Sequence, residues 1–95
     1  MVPLGGDQVL LFGGWDGSSF YGDTWVYDLS DNAWTEQAPA SGPSARGTHV
    51  MASLGLGNVL LFGGWDGSSN LGDTWLATGF YSGTWYRTYV PLVVR

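Results

Sequence analysis

A single histidine, His49, eight carboxylates and no cysteine limit what this chain could catalyse. A charge relay needs a nucleophile and an orienting acid around the imidazole, and no G-x-S-x-G turn supplies the nucleophile. Without cysteine there is no thiolate nucleophile, no thiolate metal site and no disulfide framework. The expectation is therefore no enzyme, no cofactor and no metal. Asp16 and Asp66 each open an Asp-Gly-Ser-Ser stretch and could offer oxygens to calcium or a sugar. One such turn falls far short of the roughly six to eight oxygens that calcium takes. The plainer expectation is an Asx-type turn, the carboxylate capping its own backbone. Trp15 and Trp65 stand just before these turns. They are either ligand-facing rings or turn packing, and the set Trp15, Asp16, Trp65 and Asp66 is the candidate ligand site.

Composition narrows the partners. The only basic residues are Arg46, Arg87 and Arg95, scattered along a chain of net charge −5. That is no footprint for nucleic acid or anionic lipid. The apolar content, 44%, argues against disorder. Sixteen glycines, six tryptophans and no convincing helical periodicity point to short strands and tight turns. The start, "MVPLGGDQVLLF", has no basic region before its apolar run, so it does not read as a signal peptide. No apolar run approaches the roughly 18 residues of a membrane span. The cellular compartment is not legible.

What must position these residues is a repeat. Val9–Trp25 and Val59–Trp75 are identical at fifteen of seventeen positions, differing at Phe20/Asn70 and Tyr21/Leu71. Upstream, Met1 falls on Met51 and Leu4 on Leu54; downstream, Trp34 and Trp85 close the two copies. Each unit reads as four short strands. Arg46–Leu54 is the first, with only its tail present in copy one as Met1–Leu4. Val9–Phe12 and Val59–Phe62 form the second, apolar enough to be buried on both faces and ended by a Gly-Gly pair. Asp23–Leu29 alternates as the third, and Ala33–Gln37 is the fourth. Pro39–Ala45 is a connecting loop. A period near 50 residues suits a propeller blade, which cannot bury its apolar faces alone.

These residues resemble the kelch repeat. The resemblance rests on the Arg46/His49 strand, the doublets Gly13-Gly14 and Gly63-Gly64, Tyr27, and the tryptophans Trp34 and Trp85. Copy two departs from it with Ala77 where Tyr27 stands. The resemblance implies an all-β fold of four-stranded antiparallel β-propeller blades, blade 1 over residues 1–45 with its first strand truncated and blade 2 over residues 46–89. It implies strand packing for Trp25, Trp34, Trp75, Trp85 and His49. It also implies a partner-binding role for Arg46, against the alternative of a structural bond to a neighbouring blade's loop carbonyls. Copper oxidation, known in one kelch group, lacks its cysteine here.

Known kelch propellers usually carry six or seven blades, and two cannot close a ring. The expected function is a non-catalytic scaffold or protein-interaction module that assembles with itself. A trimer giving six blades is favoured and a tetramer giving eight is second. The alternatives are a glycan-binding, lectin-like ring, or a fragment of a longer kelch protein. Val90–Arg95, "VPLVVR", is read as a closure strand at the junction between chains, or as an extension of its own blade's fourth strand.

Overall fold

A computed structural model describes residues 1–37, 39, 41–78 and 85–88. Eight strands form two four-stranded antiparallel sheets. The first holds β1 (Val2–Gly5), β2 (Gln8–Trp15), β3 (Phe20–Asp28) and β4 (Ala33–Gln37) in sequence order. The second holds β5 (Val50–Gly55), β6 (Asn58–Trp65), β7 (Asn70–Ala77) and β8 (Trp85–Thr88), again in sequence order. Both are meanders, as short alternating segments separated by glycine-rich turns require.

Two expectations are corrected. The Gly-Gly pair does not end the second strand. β2 and β6 run through it to Trp15 and Trp65, with a register shift between Phe12 and Gly14 and its copy between Phe62 and Gly64. Gly13 and Gly14 take φ of 65° and 121°, and Gly63 and Gly64 take 71° and 115°. Glycine reaches these angles without a Cβ penalty, and the result is a bulge that keeps the ladder going. Nor does the first strand of copy two start at Arg46. Thr48 has φ 54°, off the pleat, and β5 begins at Val50. Gly47 pairs only with Trp65, as an isolated bridge. The tail Val90–Arg95 lies outside the described residues.

The core lies between the sheets. Val2, Leu4, Leu10, Phe12 and Val26 of the first meet Val59, Leu61, Ala77 and Trp85 of the second, with Met51 and Trp75 packed against them. Because side chains alternate across a strand, each sheet turns one parity inward. The first buries its even positions and the second its odd ones. Trp85 is the centre of this seam: its ring meets Phe12 edge-on at 5.8 Å, and its indole N–H donates to the Thr24 hydroxyl at 3.3 Å.

Candidate functional site

The two Asp-Gly-Ser-Ser stretches fold alike. One oxygen of Asp16 accepts from the amides of Ser18 and Ser19 at 2.8 and 2.7 Å, and one oxygen of Asp66 accepts from Ser68 and Ser69, both at 2.8 Å. This is the Asx-type turn. In copy one the Tyr21 hydroxyl donates to the other oxygen of Asp16, which with the amides lowers that carboxyl's pKa to about 2. In copy two Leu71 replaces the tyrosine, and the backbone amides of Ser68 and Ser69 hold Asp66 low. Trp15 and Trp65 are exposed beside these turns. Trp15 stacks on Phe20 at 4.5 Å, and Phe20 reaches across to the second turn, where a Cβ on Gly67 would lie 3.3 Å from its ring. The structure thus brings the two turns to one rim, with Phe20 between them. Among the described residues, no group of three or more His, Cys, Asp and Glu could hold a metal ion.

Arg46 lies inside the molecule, 1% exposed. Its guanidinium donates to both oxygens of Asp73 at 2.6 and 2.9 Å and to the Gly63 carbonyl at 3.1 Å. The remaining donors go to the Ser44 carbonyl and hydroxyl. All five N–H groups of the fork are therefore used. Its backbone holds the first sheet, the amide donating to the Tyr21 carbonyl at 3.1 Å and the carbonyl accepting from Gly14 at 2.9 Å. One residue pins both sheets, and the ion pair holds the Asp73 carboxyl near pKa 2. An arginine so enclosed offers no donor to an acidic partner. His49 packs edge-on against Phe12 at 5.6 Å, its Nδ1 buried without a hydrogen-bond partner. Burial, aided by the charges of the N-terminal ammonium and Arg46, pushes its pKa below the ordinary value.

The larger exposed features are the two outer sheet faces. Residues fifty apart occupy the same place in their sheets, so each outer face can be compared with its buried copy. Phe62 is 50% exposed where Phe12 is 2%, and Leu54 is 57% exposed where Leu4 is 9%. On the first sheet Trp34 is 48% exposed where Trp85 is 0%. Trp34 stacks instead on Tyr27 at 5.1 Å, whose hydroxyl donates to Asn32. The outer face of the second sheet is the copy of the first sheet's inner face, and the reverse holds as well. Of the strand tryptophans, Trp85 is sealed in the seam, Trp25 and Trp75 are half-buried, and Trp34 is on the outside. Sequence reasoning missed Thr24, Asp73 and Phe20 as seam residues. Only the Phe20/Asn70 difference between copies marked one of them.

The family model for the Kelch motif matches residues 2–41. That span holds β1 to β4, and the second sheet repeats their order and bulge. The chain carries a Kelch motif over residues 2–41, and its two four-stranded antiparallel sheets are consistent with two kelch blades.

Proposed function

We propose that the chain is a non-catalytic interaction module that stacks head to tail with copies of itself, the outer face of blade 2 receiving the outer face of blade 1 of the next chain. The observation that supports this reading is the repeat relation of the two outer faces: each already has its complement, in the seam between blade 1 and blade 2. Leu54, Phe62 and Leu76 would meet Val9, Leu11, Trp25 and Trp34 as Leu4, Phe12 and Val26 meet Val59, Leu61, Trp75 and Trp85. Exposed apolar surface of this kind marks an interaction site, and a head-to-tail contact closes into a ring if its rotation fits. A closed ring of three chains gives six blades and is the favoured form, with four chains second. Native mass spectrometry at micromolar concentration tests it. Three or four chain masses are expected, together with a thermal midpoint that rises with concentration because association and folding are linked. A folded monomer with a concentration-independent midpoint overturns it.

A further inference from the structure

The two blades carry the same carboxylate in the same setting, but among the described residues only one of them holds an arginine. Asp73 accepts the Trp75 indole N–H at 2.8 Å, and Asp23 accepts the Trp25 indole N–H at 2.7 Å. Each carboxylate is thus oriented by the tryptophan two residues on. Each follows a glycine bulge of matching φ, so the Gly13 carbonyl sits where the Gly63 carbonyl does. At Asp73 this frame receives Arg46 through three charge-assisted bonds. At Asp23 the side chain bonds Trp25 and no arginine among the described residues.

We infer that Asp23 and the Gly13 bulge form a guanidinium receptor for an extended Ser-x-Arg peptide segment supplied in trans. The chemistry is that of Ser44–Arg46 at the neighbouring blade. The guanidinium takes the carboxylate in a bidentate grip and the bulge carbonyl through one further N–H. The preceding serine caps the remaining guanidinium donors, as the Ser44 carbonyl and hydroxyl do for Arg46. A protein of net charge −5 also favours a cationic segment. Lysine would serve poorly, because its ammonium is a point donor and cannot match the planar fork.

The receptor lies on the same outer face as the assembly reading, yet the two are separable. The test is isothermal titration of the full chain with the peptide Pro-Ser-Ala-Arg-Gly-Thr-His, beside the same peptide with glutamine for arginine. Saturable binding is expected, weakened about tenfold or more by the glutamine peptide and by Asp23→Asn in the protein. Circular dichroism checks that Asp23→Asn remains folded; if it does not, the glutamine peptide alone decides. No saturable binding, or equal binding of the two peptides, overturns the inference, as does tight binding by a folded Asp23→Asn chain. A chain that stays monomeric but binds the peptide keeps this inference and removes self-assembly. A chain that assembles but ignores the peptide does the reverse.

Discussion

Blade 1 and blade 2 are near copies with opposite fates. The same phenylalanine is core at Phe12 and surface at Phe62; the closing tryptophan is sealed at Trp85 and bare at Trp34. Strand chemistry does not distinguish them, since β2 and β6 share the run Val-Leu-Leu-Phe-Gly-Gly-Trp. What differs is which side the neighbour occupies. Two of the changes between copies fall where the neighbour touches. Phe20 lies against the second blade's turn and the matching Asn70 is exposed; Ala77 is fully buried where Tyr27 has room for its ring. A blade is thus a two-sided part, and its side chains acquire a role only from what is stacked on them.

The contrast is sharpest at the tryptophans. Trp85→Ala removes the centre of the seam and is expected to cost about 3–5 kcal/mol. Trp34→Ala should cost under about 1 kcal/mol in dilute protein, as surface changes do. Denaturant titration of both variants checks this, and equal losses would mean that the two faces are equally covered. The ion pair gives the next largest difference. Asp73→Asn strips a buried arginine of its partner, at about 3 kcal/mol or more, whereas Asp23→Asn in the absence of peptide should lie within about 0.5 kcal/mol of the parent.

Backbone space offers a finer comparison. A Cβ at Gly64 would lie 2.7 Å from the Gly47 carbonyl oxygen and 3.1 Å from His49, while one at Gly14 would meet nothing within 4 Å. Both residues share the same strained φ range, so Gly64→Ala should exceed Gly14→Ala by roughly 1–3 kcal/mol, the difference being the clash. If copies stack head to tail, Gly14 gains the neighbour that Gly64 has, and concentrated protein should then penalise Gly14→Ala too.

The smallest effect is in pH. His49 has a folded pKa below the ordinary 6.5, so the unfolded chain binds the proton more readily. Its contribution is present above pH 6.5 and lost as pH falls through the folded value. Asp73 adds a second loss as pH falls below its ordinary 3.8 toward about 2. Thermal midpoints measured across this range should show both steps, and His49→Phe should remove only the first.

Much of the fold was legible because the repeat is strong: Ala33–Gln37 is β4 as read, and the turn-bounded apolar runs became β2 and β6. The glycine pairs misled, since positive φ serves a bulge as well as a stop, and local sequence does not separate the two. Half-burial of the second strands was not legible either. Their runs are apolar on both faces, and one copy's sequence says nothing of which face has a neighbour. Arg46 stood out as a charge after a proline loop, but its buried use depends on Asp73, 27 residues away.

The Trp85–Thr24 hydrogen bond spans 61 residues of sequence. A ribosome releasing this chain therefore delivers blade 1 well before the residue that covers it. Until Trp85 arrives, Leu10 and Phe12 are bare on a sheet of ready-made strands, the state in which nascent β-proteins pair with the wrong partner. Seam formation is consequently the slow, non-local step. The interval between the emergence of β2 and that of β8 is the chain's window of risk for aggregation.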